Sequence, residues 1–262
     1  MDITTLLSDF TPVTLQKMNT IPLMKRHDTK YVLRSHMLPA LLQKMSAHYS
    51  VLTIDEKKIH PYLTLYFDTP DLHCYLEHHN RRRHRFKFRT RKYLVSNLTY
   101  NEIKEKKNTG KTYKTRIKRS SLTPMVDKKF ESFIHEETRI RKGLIPVLNV
   151  YYTRITLAHR FQPERITIDR DICFCGHKGE YTLPKTVIVE RKTERSTHNS
   201  RGRTILRELS CRPTGFSKYC IGTAITTPGI KMNNFKQKVR YLSPRKGWTH
   251  ERVSDPFYPI TF

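Results

Sequence analysis

Charge on every second position, with apolar or small residues between, recurs in three neighbouring segments of this chain. Over residues 84–93 the cations Arg85, Lys87, Arg89 and Arg91 alternate with Phe86, Phe88 and Thr90. Residues 100–106 repeat the pattern with Glu102, Lys104 and Lys106. After the turn signal Asn108-Thr109-Gly110 it returns as Lys114, Arg116 and Lys118. Successive side chains of a strand point to opposite faces. The pattern therefore predicts a meander with one aromatic or aliphatic face and one ladder of cations holding an occasional carboxylate. If the charged face is solvated, this is an ordinary half-buried meander. If it lines the inside of a closed barrel, the lumen becomes a passage for an anion.

Taken in order, residues 2–24 open with a helical cluster (Ile3, Leu6, Leu7, Phe10), a break at Pro12 and a second, weakly apolar segment. Residues 26–33 alternate charged and other residues. Ser35 then offers an N-cap to a helix over 36–48, with Leu38, Leu41, Leu42 and Met45 at helical spacing and Pro39 early enough to be tolerated. Residues 49–54 and 62–67 read as strands, and Thr69 or Asp71 is predicted to cap a short helix through Tyr75 and His79. Phe130, Phe133 and Ile134 form the apolar stripe of a polar helix within 127–142, expected to cover an outer face. Further strands are predicted over 147–158, with Tyr152 and Arg154 on one face, over 164–172, with Arg165, Thr167, Asp169 and Asp171 on one face, and over 186–194, with Glu190, Lys192 and Glu194. The count approaches the roughly eight antiparallel strands of a small closed barrel. The expected fold is thus α+β, a closed antiparallel barrel with helices packed outside. Residues 199–210 are predicted helical, and 215–222 read as a loop entering another helix. One domain is expected over 1–225, followed by a basic arm, 226–262, punctuated by Pro228, Pro244, Pro256 and Pro259 and without a core of its own.

Composition sharpens this picture at two points. The net charge of +27, from 50 Lys and Arg against 23 Asp and Glu, calls for an anionic partner: nucleic acid, a membrane surface or a polyphosphate-like ligand. No apolar run approaches membrane-spanning length and no signal-peptide pattern opens the chain, so a soluble, cytoplasmic protein is expected. Five cysteines, an odd and scattered set, then read as reduced thiols. Cys173-x-Cys175-x-His177 has one residue between successive ligand types and no second ligand pair follows, so it reads as a strand end rather than a zinc loop.

The chemistry-bearing residues are of one kind. The chain has no Gly-x-x-x-x-Gly-Lys-[Ser/Thr] loop, no Gly-x-Gly-x-x-Gly, no His-Glu-x-x-His and no Gly-x-Ser-x-Gly. Cations packed so densely on an inner face repel one another unless a counter-charge joins them. An oligophosphate with bound metal supplies that charge: Arg makes bidentate phosphate contacts, Lys acts as a point charge, and one or two carboxylates hold Mg²⁺ or Mn²⁺. Many cations with few acids suit phosphoryl transfer, which needs positioning and neutralisation. A nucleic-acid reading draws on Arg81-Arg82-Arg83 and on Phe86 and Phe88 as stacking groups. The aromatics alternate with the cations, however, and so face away from them.

A family resemblance joins these residues. Arg26-x-Asp28-x-Lys30-Tyr31, Tyr66-Phe67-Asp68-Thr69, Arg89-x-Arg91-x-Tyr93, Glu102-x-Lys104, Lys114-x-Arg116, Tyr152-x-Arg154, Arg165-x-Thr167-x-Asp169, Glu190-x-Lys192 and Ser217-Lys218-Tyr219 stand in the order seen in the VTC (vacuolar transporter chaperone) catalytic domain, a polyphosphate polymerase branch of the triphosphate tunnel metalloenzymes, CYTH-like in fold. The resemblance spans residues 6–223 or so. It implies transfer of the ATP γ-phosphate to a growing inorganic polyphosphate chain, with Mn²⁺ or Mg²⁺. It further implies phosphate contacts from Lys30, Arg89, Arg91, Lys104, Lys114, Arg116, Tyr152, Arg154, Arg165, Ser217 and Lys218, catalytic roles for Arg89, Arg91 and Lys218, and metal ligation by Glu190 and then Glu102. The hydrolytic CYTH branch typically opens with Glu-x-Glu-x-Lys, whereas this chain has Arg26-x-Asp28-x-Lys30, which favours polymerisation over hydrolysis. The phosphate-sensing helical domain and membrane spans of the eukaryotic polymerases have no counterpart in the sequence, so a stand-alone, bacterial version is expected, with membrane association through another protein left open. The alternatives are a metal-dependent triphosphatase acting on inorganic or nucleoside triphosphate, and a polyanion or nucleic-acid binder without chemistry.

Overall fold

The structure, a computed structural model, describes residues 2–19, 26–177, 179–194 and 200–242. The end of the expected arm, 243–262, the end of the second apolar segment, 20–25, and Asn199 at the start of a predicted helix lie outside the described residues. The elements are α1 (Ile3–Ser8), β1 (Pro12–Val13), α2 (Leu15–Asn19), β2 (Arg26–Arg34), a 3-10 turn (Ser35–Met37), α3 (Leu38–Ser46), β3 (Tyr49–Leu52), β4 (His60–Asp68), α4 (His73–His79), β5 (Arg85–Tyr93), β6 (Leu98–Lys106), β7 (Thr112–Arg119), α5 (Lys128–Glu137), β8 (Ile145–His159), β9 (Glu164–Gly176), β10 (Gly179–Leu183), β11 (Thr186–Glu194), α6 (Arg201–Glu208), α7 (Lys218–Thr226) and α8 (Lys236–Leu242). They form two compact units: Met1–Pro61 with Tyr152–Ile172 and Leu183–Phe216, and Tyr62–Tyr151 with Cys173–Thr182 and Ser217–Phe262. The expected boundary at residue 225 falls at the end of α7, and Val239 and Leu242 of α8 are buried.

In the first unit β11 pairs antiparallel with both β2 and β9. Glu190 stands opposite Lys30 and Thr167, and Lys192 opposite Asp28 and Arg165. Residues paired this way share a face. The other face carries Tyr31, Leu33, Val187, Val189, Ile166 and Ile168, which with Ile155 and Leu157 of β8 form a core under Leu6 and Leu7 of α1, Leu41, Leu42 and Met45 of α3, and Ile205 and Leu206 of α6. Within that core Glu164, fully buried, is fully occupied: it accepts from Tyr49 Oη, from Arg191 (3.2 Å) and from the Gly202 N–H (3.2 Å). A side chain at Gly202 would meet Tyr49 Oη at 2.7 Å and Ile166 at 2.8 Å, so only glycine lets α6 come this close.

In the second unit β4, β5, β6 and β7 form an antiparallel meander. Tyr66 is opposite Arg89, Arg89 opposite Glu102, and Glu102 opposite Arg116. The period-two reading is realised: Leu65, Phe67, Phe88 and Ile103 turn to one face and build a core with Phe130, Phe133 and Ile134 of α5. Phe86 packs against the same core, so neither aromatic of the 84–93 segment lies on the cationic face, and the base-stacking platform is not built. Asp127 caps α5 by accepting from the Phe130 N–H at 2.9 Å.

Two local expectations are corrected. Ser35 does not cap α3: it begins the 3-10 turn, and its N–H is tied to the Lys185 carbonyl at 3.1 Å. Thr69 does bond the His73 N–H (2.9 Å), but the main acceptor at the start of α4 is Asp68, which takes the N–H groups of Thr69, Cys74 and Tyr75 at 2.8–2.9 Å. Asp71 instead pairs with Lys142.

The hydrogen-bonded strand path runs β2-β11-β9-β8-β4-β5-β6-β7, with β1, β3 and β10 beside it. The fold is α+β with a mostly antiparallel sheet, as expected. Its closure into a barrel is not made by hydrogen bonds: among the described residues no ladder joins β7 to β2. The outer edge of β2 is already occupied, since Tyr31 bridges Pro213 and the Thr214 N–H donates to the Lys30 carbonyl at 2.7 Å.

Candidate functional site

On the polar face of the second unit the cations converge on few acceptors. Arg89 donates through Nε to Glu102 Oε2 at 2.7 Å, and its second guanidinium nitrogen lies 2.6 Å from the same oxygen. Lys114 pairs with the other carboxylate oxygen, Oε1. Glu102, at 1% exposure, is thus clamped by two cations. Burial alone would raise its carboxyl, but Arg89, Arg91 and Lys114 hold it well below the ordinary carboxylate range. Arg91, at 8% exposure, donates to Thr64 Oγ1 (3.3 Å) and lies 5.8 Å from the centre of the Tyr62 ring. Arg116 covers the Tyr100 ring at 4.6 Å.

The residual field on this face is positive, and three groups register it. Burial opposes ionisation of the Tyr66 phenol, yet Arg89, Arg91 and Lys218 outweigh it and its net shift is downward. Burial and the neighbouring Arg89 and Arg91 push Lys114 down to about 8 against the pull of Glu102. Burial, with Lys87, Arg85, Lys104 and Lys106, drives His78 far below its usual value. A net positive field of this kind suits an incoming polyanion.

Helix α7 brings its first residue to this face. Ser217 is the N-cap: its Oγ accepts from the Cys220 N–H at 3.2 Å and from Lys87 Nζ at 3.0 Å. The helix is held in place by Tyr219, whose hydroxyl donates to Asp68 and whose ring stacks on Tyr66 with centroids 5.1 Å apart. Burial and the adjacent Asp68 raise the Tyr219 phenol well above its ordinary value, so it stays a donor. A side chain at Gly222, one turn on, would meet Leu148 and Phe174 at 2.6 Å, which keeps the helix seated close to β8 and β9.

The polar face of the first unit is differently composed. Arg154 grips Asp169 with two parallel bonds of 2.6 and 2.9 Å and lies 5.3 Å from the Tyr152 ring centre. Lys192 sits 3.1 Å from Glu190 Oε2. Burial lowers the Lys192 amine, with Glu190 and Asp28 opposing and Arg154 assisting. Arg165 donates to the Met18 carbonyl of α2 at 2.7 Å. Lys30 donates to the Phe216 carbonyl at 3.0 Å and borders a cleft of about 420 Å³ lined also by His27, Asp28 and the 213–216 segment.

The residues named from sequence thus fall into two groups. Arg89, Arg91, Lys104, Lys114, Arg116, Ser217, Lys218 and Glu102 belong to the second unit, and Lys30, Tyr152, Arg154, Arg165 and Glu190 to the first. The two metal candidates differ in fitness. Both oxygens of Glu102 are engaged by cations, so it fits a hard cation poorly. Glu190 is less enclosed, with Lys192 3.1 Å from Oε2 and with Lys30 and Thr167 opposite it on the neighbouring strands. Carboxylate oxygens are the donors that Mg²⁺ and Mn²⁺ take, usually one or two from protein with the rest from water and phosphate. Tyr66, Asp68, Tyr219 and Lys87 carry no role in the sequence reading, although the first three lie inside quoted motifs. Asp68 and Tyr219 are 151 positions apart, and no local periodicity links them.

Comparison with known proteins agrees with this picture. No curated protein matches the chain. Among solved structures, a proposed adenylyl cyclase from Hippeastrum with a dominant triphosphatase activity matches with a TM-score of 0.52 at 14% identity, over 79% of this chain and 98% of that one. A proposed adenylate cyclase from Bacillus halodurans matches with a TM-score of 0.46 at 12% identity, over 74% and 96%. At 14% identity the likeness to the Hippeastrum protein concerns the fold alone. Among the described residues no helix is long and apolar enough to cross a membrane. The VTC domain model matches residues 25–227, most of the chain and both polar faces, and the protein belongs to the VTC domain family.

Proposed function

We propose that the protein is a metal-dependent polyphosphate polymerase that transfers the γ-phosphoryl group of ATP to the end of an inorganic polyphosphate chain. The observation that carries this reading is the polar face of the second unit. There Arg89 and Arg91 act on both Tyr66 and Glu102, joined by Lys218 at Tyr66 and by Lys114 at Glu102. A terminal phosphate oxygen of the chain attacks the γ-phosphorus as the bond from that phosphorus to the β–γ bridging oxygen breaks. ADP leaves with the electron pair, and one phosphoanhydride replaces another. No protein nucleophile is needed, and charge on the transferring group is met by guanidinium and ammonium groups already in place. Arg89 and Arg91 bind equatorial oxygens, while Lys218 neutralises the group in transit. Lys30, Arg154 and Arg165 of the first unit bind further phosphates. Glu190 would hold Mg²⁺ or Mn²⁺, which when bound would supply Lewis-acid neutralisation of phosphate charge.

The alternative is a triphosphatase, in which water replaces the chain end as the attacking group. It is supported by the dominant activity of the Hippeastrum protein of similar fold. Purified protein incubated with ATP and Mn²⁺ decides: long phosphate chains accumulating beside ADP are expected, whereas free phosphate as the only second product would establish hydrolysis. ATP and polyphosphate are thus the proposed partners, and a cytoplasmic location is part of the same proposal.

A further inference from the structure

The β9–β10 hairpin carries a cluster that the phosphate chemistry does not use. Cys173 and Cys175 are separated by one residue on β9, so their side chains leave the same face of the strand. Their sulfur atoms lie 3.8 Å apart. Glu180, on the neighbouring strand β10, brings Oε1 to 3.5 Å from the Cys175 sulfur. Ligand atoms of all three lie within 4.8 Å of one another, and both cysteines are buried.

We propose that Cys173, Cys175 and Glu180 form a binding site for a thiophilic divalent cation of the Zn²⁺ class, which clips β9 to β10. The distances fit a tetrahedral ion. With metal–sulfur bonds of about 2.3 Å, two thiolates at the tetrahedral angle stand about 3.8 Å apart. A thiolate and a carboxylate oxygen bound at about 2.0–2.2 Å stand about 3.5–3.7 Å apart. In addition, Glu180 Oε2 is buried and has no hydrogen-bond partner among the described residues. A carboxylate oxygen withdrawn from water beside two thiols is costly unless a cation joins it. The sequence objection to a zinc loop, that no second ligand pair follows, is met by the third ligand arriving from the adjacent strand. A solvent molecule completes the coordination. On binding, each thiol proton passes to water as its sulfur lone pair forms a bond to the metal. Two sulfurs and one oxygen select a borderline or soft ion, in contrast to the all-oxygen donors proposed for Mg²⁺ or Mn²⁺ at Glu190. This inference is independent of the polymerase reading.

Titration of the full-length protein, its thiols kept reduced by a phosphine, with Cd²⁺ tests the site through the ultraviolet thiolate-to-metal charge-transfer band. One equivalent per chain is expected, displaced by Zn²⁺ and untouched by a large excess of Mg²⁺. The paired substitution Cys173→Ser and Cys175→Ser should abolish the band, while Cys211→Ser should leave it. Glu180→Gln should weaken Cd²⁺ binding by about tenfold or more, since even outer partners of metal ligands are worth that much. Zn²⁺ should raise the unfolding temperature of the wild-type chain and not that of the paired variant. Absence of a band in the wild-type protein, its persistence in the paired variant, or unchanged affinity in Glu180→Gln would each overturn the proposal. Should the paired variant fail to fold, Glu180→Gln, which keeps both thiols, decides alone.

Discussion

Glu102→Gln separates the metal-ligand role that the family resemblance implies from the ion pairs the structure shows. In the structure Glu102 is a counter-ion, at 1% exposure, held by Arg89 at 2.6 Å and by Lys114. Removing one partner of a buried ion pair costs about 3–5 kcal/mol. Arg89 and Lys114 remain 17% and 31% exposed, so water recovers part of that, and a glutamine oxygen still accepts one bond from Arg89. About 2–3 kcal/mol of destabilisation is the resulting figure. For a protein of this size that lowers the unfolding temperature by about 4–12 °C. An added anion can take the place of the lost charge, so inorganic triphosphate should protect the variant more than the wild type. The assay is thermal unfolding with and without inorganic triphosphate, alongside the dependence of activity on Mn²⁺ concentration. The reasoning fails if the variant unfolds like the wild type while needing far more Mn²⁺, because Glu102 would then be a metal ligand and not a counter-ion.

Lys114, pushed down to about 8 by burial and its arginine neighbours, should regain its proton when phosphate arrives. Triphosphate affinity should accordingly be flat below pH 8 or so, fall as the pH rises above it, and be accompanied by proton uptake. Calorimetry in buffers of differing ionisation enthalpy reads that uptake, which Lys114→Arg should remove. In the unbound protein the same depressed amine makes stability rise with pH between about 8 and the ordinary lysine value, since over that window the unfolded chain holds more protons. Lys218→Ala should lower turnover by about tenfold or more with little loss of ATP binding; a change confined to ATP affinity would limit Lys218 to attracting substrate. Glu190→Gln should retain nucleotide binding and lose most metal-dependent activity, and full activity at ordinary metal concentration would place the metal elsewhere.

Much of the second unit could be read in the sequence because its information is local. On β5 the alternation of Arg89 and Arg91 with Phe88 and Thr90 states which face meets α5 and which does not. The strand β11 was predicted to the residue, since Val187 and Val189 sort from Glu190 and Lys192 by the same period. What escaped was long-range. Nothing near Glu102 says that Arg89 and Lys114 will saturate it, because that follows from the registers of two ladders. Nothing near Asp68 announces that it accepts three backbone N–H groups and a phenol from far along the chain. Counting strands suggested a closed barrel, but closure depends on what occupies the β2 edge, and Pro213 and Thr214 come from a loop with no strand signature.

The bond between Asp68 and Tyr219 also has a consequence for how the protein is made. The helix that carries Lys218 is anchored to a carboxylate that leaves the ribosome 151 residues earlier. At about 5–20 residues per second, Asp68 waits roughly 8–30 s for its phenol, with α4 already able to draw on its oxygens. A nascent chain can therefore display its arginine ladder well before the lysine is docked beside it. Under the proposed function, ribosome-bound intermediates would attract polyanions before the lysine is in position.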